Sequence, residues 1–316
     1  MQSCTVVMYH YVRPLEKTRY SDINALRKEE FEYQVNHIEE QYNLVSLEDI
    51  RKAIYENQDL PSDPALLTFD DGFLDHFTTV FPILYERDVP GVFFPPVEPI
   101  LYDTVLNVHK IHYILANSTD VDGLLQSVFN YLDEYREKFD LKTNDTYYQQ
   151  LAEPGRWDPE EVIFIKRLLQ RELTFEARSI ILDNLFADHM DIDEETLSQE
   201  LYMEPNQLKT MVNAGMDVGS HTFSHRWLET LSEEEQEKEI KKSIDFLKTI
   251  GLSTDRWAMC YPYGSYNDTT LHLLRQHNCD VGFTTEVGEA VLDSENALTL
   301  QRLDTNDLPQ SPNDEE

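Results

Sequence analysis

The sequence predicts an α/β fold built on parallel strands, with an all-helical insertion in the middle of the chain. Short apolar, β-branched runs alternate with segments of helical periodicity over residues 1–100 and again over 205–305. Such alternation is typical of βαβ units. From about 101 to about 204 the apolar residues keep only helical spacing, so this stretch is expected to pack as a small bundle beside the main fold.

Composition narrows the partners and the compartment. Among 316 residues, 60 are Asp or Glu and 26 are Lys or Arg, giving a formal net charge of −34. This balance argues against nucleic acid and anionic membranes, because both bind basic patches. Three cysteines without a C-x-x-C pair favour a reducing compartment. The N-terminus has the pattern of a strand rather than a signal peptide, and no apolar run reaches the roughly 20 residues that span a bilayer. We therefore expect a cytoplasmic protein without membrane insertion.

The elements follow from local signals. Prolines break the chain before the strand at 65–69 and after the strand at 92–94. Ser46 with Asp49, and Ser232 with Glu235, have the spacing of capping boxes that open helices. The chain is interpreted as one domain over 1–316, interrupted by the insertion, with a polar tail at 307–316 that is expected to fray. Strands are predicted at 4–9, 43–45, 65–69, 92–94, 216–218, 256–261, 281–284 and 297–300.

The unusual polar residues lie where the predicted strands end. Parallel strands direct their C-terminal ends to one face of a sheet or barrel, and active sites are built there. Residues that are scattered in the sequence are therefore expected to converge. They are His10, Asp70, Asp71, His221, His225, residues 261–264, and Arg302 with Asp304.

Two of these groups have the chemistry of a metal site. His221 and His225 are four residues apart and can present their ring nitrogens to one ion. Asp71 is the natural third ligand, and Asp70 then remains free to accept a proton from a metal-activated water. An H-x-x-x-H spacing alone is a weak signal, and adjacent carboxylates usually cap a helix. Their joint placement at strand ends favours a site for divalent-metal hydrolysis of an amide or ester.

Three motifs carry a family resemblance. T-F-D-D-G at 68–72, H-T-F-S-H at 221–225 and Y-P-Y-G at 261–264 resemble the polysaccharide deacetylase family, with its NodB homology domain, also known as carbohydrate esterase family 4. The resemblance covers about 1–100 and 205–305, and Met8-Tyr9-His10 is similar to the subgroup of poly-N-acetylglucosamine deacetylases. It implies a distorted (β/α)7 barrel that removes N-acetyl or O-acetyl groups from sugars. It also implies a role for each matching residue: Asp70 as general base, Asp71, His221 and His225 as metal ligands, and the Tyr263 backbone N–H as an oxyanion donor.

Two departures from the family pattern leave roles to fill. Cys260 stands where the family has an arginine that contacts the base, and no histidine lies near 298–303 to act as general acid. By the same resemblance His10 is the expected acid, and imidazole suits this task near neutral pH. Arg302 is a candidate for the missing arginine. His76 is expected to face the site or solvent, and Trp227 to pack under the metal loop rather than against a sugar.

The expected function is therefore deacetylation of a sugar, an oligosaccharide or a polysaccharide precursor. The expected cofactor is a divalent metal, zinc first, with cobalt, nickel and iron as alternatives. Two other functions stay open: a metal amidase acting on a small cyclic amide, and a sugar-binding homologue with impaired catalysis. The identity of the sugar and the oligomeric state do not follow from the sequence.

Overall fold

A computed structural model describes residues 2–153, 155 and 158–315. The described strands, in chain order, are β1 (Gln2–Tyr9), β2 (Val12–Arg13), β3 (Leu26–Arg27), β4 (Asn43–Leu44), β5 (Pro64–Asp70), β6 (Gly91–Phe94), β7 (Asp217–Val218), β8 (Trp257–Cys260), β9 (Cys279–Val287), β10 (Ala290–Leu292) and β11 (Leu300–Asp304).

The described α-helices are α1 (Lys28–Gln41), α2 (Leu47–Glu56), α3 (Phe81–Glu86), α4 (Val97–Tyr102), α5 (Asn107–Asn117), α6 (Val121–Phe139), α7 (Asn144–Leu151), α8 (Glu160–Arg167), α9 (Phe175–His189), α10 (Glu194–Leu201), α11 (Pro205–Asn213), α12 (Glu233–Thr249) and α13 (Asp268–Gln276). Two π-helical turns, at His76–Val80 and Leu168–Glu172, precede or follow α-helices. None of the helices in the described ranges is both long and apolar enough to cross a membrane.

Seven parallel strands form the central sheet, in the order β7-β6-β5-β1-β11-β9-β8. The two edges meet at Ser220, just after β7. Its N–H donates to Ala258 O at 2.9 Å, and its carbonyl accepts from Cys260 N–H at 2.9 Å. The strands therefore follow chain order around a nearly closed ring, and the predicted (β/α)7 barrel is confirmed. Two short strands flank the ring, β10 antiparallel to β1 and β4 parallel to β5.

The alternation of side chains along each strand separates two apolar cores. Val6 and Leu66 belong to a cluster inside the barrel, whereas their neighbours Val7 and Leu67 pack outward beneath the helices. Both sides of these strands are buried, which explains why their sequences are almost continuously apolar. Polar side chains that lie inside the ring therefore have to be hydrogen-bonded.

The chain divides into two compact units. One contains the residues up to Pro14, Asn24–Thr104 and the residues from Ser198 onward, and it holds the barrel. The other contains Leu15–Ile23 and Val105–Leu197. The described part of the second unit is helical apart from its connecting segments. The sequence did not predict that Leu15–Ile23 joins it.

Some predicted boundaries were wrong. The last strand is Leu300–Asp304 rather than 297–300, so Arg302 lies within it. The apolar residues over 73–86 have helical spacing in the sequence, and the helix in this segment is interrupted by a π-helical turn at His76–Val80. A buried strand and a buried helical turn have similar compositions. Over so few positions, the spacing of the apolar residues does not distinguish one from the other.

We predict that Gly219→Ala destabilises the ring where its edges meet. An added Cβ would lie 2.4 Å from Phe94 Cε1 and 2.6 Å from the Ala258 carbonyl oxygen, and one of these neighbours is backbone. The free energy of unfolding should fall by about 1–3 kcal/mol, as for overpacked cores. Urea denaturation measures it, and an unchanged midpoint would show that the closure is not tightly packed.

Candidate active site

The strand β5 ends at two carboxylates whose backbones diverge. Asp70 is the last residue of β5, whereas Asp71 (φ 71°) and Gly72 (φ 63°) are in the left-handed region. A side chain at Gly72 would approach Pro95 Cβ to 2.7 Å, so glycine is required there for space as well as for φ. The sharp turn lets adjacent aspartates serve different partners.

The loop after β7 carries both histidines. It is not helical, because Thr222 (φ 62°) and His225 (φ 55°) adopt left-handed conformations. Ser220 Oγ accepts from the Thr222 N–H at 3.1 Å, and Thr222 Oγ1 accepts from the His225 N–H at 3.0 Å. These local bonds fold the loop so that the two imidazole centroids lie 4.8 Å apart.

Asp71 lies against both imidazoles. Its Oδ1 is 3.4 Å from His221 Nε2 and 3.2 Å from His225 Nε2, and all three side chains are buried. His221 Nδ1 is 2.8 Å from the Cys260 carbonyl oxygen. Since a carbonyl only accepts, Nδ1 carries a proton, and Nε2, which faces Asp71, is the nitrogen that is placed to bind a metal. Two nitrogens and one carboxylate in this arrangement fit a divalent metal.

A second set of potential ligands shares His221 with the first. Asp70, His221 and Cys260 also have ligand atoms within 4.8 Å of one another. Arg302, however, donates to both Asp70 Oδ2 at 2.7 Å and Cys260 Sγ at 2.9 Å. A guanidinium already neutralises this set, so it is unsuited to a cation. The Asp71 set is the candidate metal centre.

Arg302 is fully buried and uses all of its donors. Besides the bonds to Asp70 Oδ2 and Cys260, its Nη1 donates to Asp70 Oδ1 and Thr68 Oγ1, both at 3.0 Å. Its Nε donates to the Thr284 carbonyl at 2.8 Å. The five N–H groups of a guanidinium are thereby satisfied. The resulting pair with Asp70 is bidentate and almost fully shielded from water.

The pair determines the charge of Asp70. Burial by itself would raise the pKa of this carboxyl. The positive charge and the hydrogen bonds of Arg302 lower the pKa, and the nearby His221 and His10 lower it further. The pKa is lowered to about 2. Asp70 is therefore ionised at neutral pH.

His10 follows β1 and lies beside Asp70, with His10 Nε2 at 4.0 Å from Asp70 Oδ2. Its side chain is 40% exposed. Its backbone carbonyl contacts Nε2 of His76 at 2.7 Å. His76 was expected to face the site or solvent; it is completely buried among Phe69, Phe73 and Phe93 and does not face solvent. Burial lowers the pKa of His76 to about 4, so a neutral imidazole donates to the His10 carbonyl.

Tyr263 lies next to the histidine loop. Its ring makes an edge contact with His225 at 4.7 Å and stacks on Trp227 at 4.4 Å, with an interplanar angle of 4°. Tyr263 itself is in the left-handed region (φ 58°). Trp227 therefore packs against the turn that carries Tyr263.

The structure brings together Asp70, Asp71, His221, His225, His10 and Arg302, with Tyr263 at the border. Asp304 does not join this group through its side-chain hydrogen bond, which instead caps the turn Thr305–Asp307. The sequence reasoning missed Thr68 and Thr284. For Thr68 the available signal was a hydroxyl side chain within an otherwise apolar strand, since such a group must find a partner when buried. Thr284 contributes its backbone carbonyl, which no side chain in the sequence reveals.

Comparisons with known proteins agree with this fold. The family model of polysaccharide deacetylases matches residues 181–282, which include both histidines and Cys260 but not Asp70 or Asp71. The Bacillus subtilis (strain 168) protein YxkH, provisionally named a polysaccharide deacetylase, is 27% identical over 99 residues. That alignment covers 31% of this chain and 35% of YxkH, so the chain spans about a third of the length of this curated relative.

Solved structures match nearly the whole chain. The Streptococcus pyogenes deacetylase PplD, in complex with acetate, superposes with a TM-score of 0.58 at 20% identity, covering 96% of this chain and 92% of that one. IcaB from Ammonifex degensii gives 0.53 at 19% identity, covering 96% and 91%. At these identities the structures establish the fold. Together with the family model, they confirm the resemblance predicted from the motifs.

We predict that Arg302→Met destabilises the protein in a pH-dependent manner. Removing one partner of a buried pair typically costs about 3–5 kcal/mol, because Asp70 is left ionised without a counter-charge. In the wild type, the folded pKa of about 2 lies below the ordinary value of 3.8. The stabilisation is therefore present above pH 4 and is lost as the pH falls toward 2.

Urea denaturation of the wild type and Arg302→Met between pH 7 and pH 2 tests this. The difference in unfolding free energy should narrow as the solution becomes acidic. Arg302→Met combined with Asp70→Asn is the matched control, and it should recover part of the loss at pH 7. A difference that is independent of pH would contradict the assigned charge of Asp70.

Proposed function

We propose that this chain, a relative of the polysaccharide deacetylases, is a metal-dependent hydrolase that removes N-acetyl or O-acetyl groups from a sugar, an oligosaccharide or a polysaccharide precursor. One observation carries the proposal. A buried, ionised carboxylate at Asp70 is the sequence neighbour of Asp71, which lies within 3.4 Å of two imidazole nitrogens. This combination separates a proton acceptor from a ligand set, which amide hydrolysis requires.

Asp71, His221 and His225 would hold the metal, with zinc as the first expectation. When bound, the metal would supply a Lewis acid for the acetyl carbonyl and lower the pKa of a water molecule toward about 7. The Nδ1 contact of His221 with the Cys260 carbonyl supports this role, because it fixes the tautomer and the ring orientation.

Asp70 would accept the proton of the attacking water. A carboxylate with so low a pKa is a weak base, so the water must already be acidified. Arg302 would act through Asp70 as a positioning residue, since its two bonds fix both carboxylate oxygens. By the resemblance, it would also take over the contact of the family's arginine that is absent at Cys260.

His10 would return a proton to the leaving nitrogen. Its half-exposed ring at 4.0 Å from Asp70 supports this role, because an acid must reach the same substrate as the base. The backbone N–H of Tyr263 would donate to the developing oxyanion, a role that rests on the resemblance. The alternative of a sugar-binding protein with impaired catalysis rests on Cys260 and on the missing late histidine. It is less well supported, since Arg302 contacts Asp70 and His10 lies beside it.

Metal binding is predicted to depend on the two histidines. His221→Ala and His225→Ala should each reduce bound zinc or cobalt strongly, because a three-ligand site loses a ligand. Elemental analysis after dialysis measures the metal content. His272→Ala, on the exposed side of α13, should leave it unchanged. Normal metal content in both loop variants would show that the ligand assignment is wrong.

Acetate release is predicted to require Asp70. With added zinc or cobalt, the wild type should release acetate from N-acetylated oligosaccharides. Asp70→Asn should lose roughly 10²–10⁴-fold in rate while it still binds metal, because the amide does not accept the proton. Asp245→Asn, an exposed aspartate on α12, is the control. Hydrolysis of a small cyclic amide, with no acetate released from sugars, would favour the amidase alternative.

His10→Ala tests the acid. The variant should fold, bind metal normally and lose about 10²-fold or more in kcat, with a smaller loss on O-acetyl substrates, whose alkoxide leaving group needs less help than an amine. Stopped assays on matched N-acetyl and O-acetyl sugars give both rates. Near-normal turnover of the N-acetyl sugar would exclude His10 as the acid.

A further inference from the structure

A buried carboxylate of α12 faces the loop that carries both histidines. Glu239 is only 7% exposed, although the acidic residues in the first turn of the same helix are exposed. A buried glutamate is costly unless its oxygens are hydrogen-bonded. Its partners therefore indicate what it does.

All of the recorded side-chain partners of Glu239 belong to the loop. Its Oε2 accepts from the backbone N–H of Phe223 at 3.1 Å and of Ser224 at 2.8 Å. Its Oε1 accepts from the Ser224 hydroxyl at 2.6 Å. One carboxylate thus holds the two central peptides between His221 and His225.

The opposite side of the same peptides is also held. The Phe223 carbonyl accepts from the N–H groups of Val97 at 3.1 Å and Glu98 at 2.7 Å, at the start of α4. The loop is therefore held from two sides: N–H groups at the start of α4 donate to its carbonyl, and Glu239 of α12 accepts from its N–H groups. Ile240 and Leu247 anchor α12 in the outer core.

This support opposes backbone strain. Thr222 and His225 are held at positive φ, and non-glycine residues in such conformations cost about 1–3 kcal/mol each. A loop without external partners would relax toward other conformations and separate the two imidazoles. The hydrogen bonds that Glu239 accepts come from the two residues that lie between these strained positions.

We propose that Glu239 is a positioning residue for the metal centre, which presets the His221–His225 loop in the geometry that binds a divalent ion. The inference rests on the proposed function, since it assumes that the loop binds metal. It goes beyond that function by assigning part of the metal affinity to a residue of α12 that touches neither imidazole in the recorded contacts.

The test measures Co²⁺ binding, by competition with a chelator and by the visible absorption of the bound ion. Glu239→Ala should raise the dissociation constant about 10–100-fold, the range seen when supporting groups of metal ligands are removed, and should alter the absorption bands. Glu239→Gln keeps one carbonyl acceptor and should lie between the wild type and Glu239→Ala. Glu234→Ala, an exposed glutamate on the same helix, should bind as the wild type does.

A folded Glu239→Ala variant with wild-type affinity and spectrum would overturn the proposal. If that variant does not fold, Glu239→Gln and Ser224→Ala decide, because each removes only part of the contact; normal affinity in both would equally overturn it. Weakened affinity in either supports it.

Hydrogen exchange of the Phe223 and Ser224 amides in metal-free protein separates this inference from the proposed function. Slow exchange in the wild type that becomes at least tenfold faster in the Glu239 variants supports the positioning role without reference to metal. If the wild type binds no divalent ion although these amides are protected, the proposed function is wrong, but the conclusion that Glu239 fixes the loop remains supported. Unprotected amides in the wild type would contradict the proposal that Glu239 fixes the loop.

Discussion

The buried pair of Arg302 and Asp70 is the interaction on which the site depends. Each charge alone would be strongly unfavourable inside the barrel, and only mutual contact with complete hydrogen bonding makes their burial possible. The five donors of Arg302 reach β5, β8 and β9 from β11. The pair therefore joins four strands of the ring and holds the end of β5, from which Asp71 turns away toward the histidines.

The candidate metal centre depends on backbone conformations that cost free energy. Asp71, Thr222 and His225 all have positive φ, and each is stabilised by contacts outside itself. Gly72 allows the turn to approach Pro95, Ser220 and Thr222 cap the loop, and Glu239 with α4 holds its centre. Strain at a site persists only where the surroundings determine it in this way. Rigid elements thus set the positions of side chains that lie on loops.

The sequence predicted the fold class and the convergence of Asp70, Asp71, His221 and His225, because strand ends are readable from apolar runs and parallel strands share a face. It could not predict how Arg302 bonds, since register within β11 decides which atoms it reaches, and the expected strand ended at residue 300. The burial of His76 depends on a π-helical turn that periodicity does not reveal. In the sequence Glu239 is one of several acidic residues of α12, and only its burial in the folded structure distinguishes it from the others.

The same pair also limits how the chemistry can be divided. Arg302 keeps Asp70 ionised but makes it a weak base, so Asp70 is suited to accept a proton and poorly suited to return one at neutral pH. In the proposed reaction, a second group would then have to supply the proton to the leaving nitrogen. His10 is a titratable side chain within 4.0 Å of Asp70 whose exposure lets it reach a substrate, and neutral His76 fixes its backbone from the buried side. An arginine that arrives from a different strand therefore keeps Asp70 ionised and, by the same effect, would make a separate acid necessary in the proposed reaction.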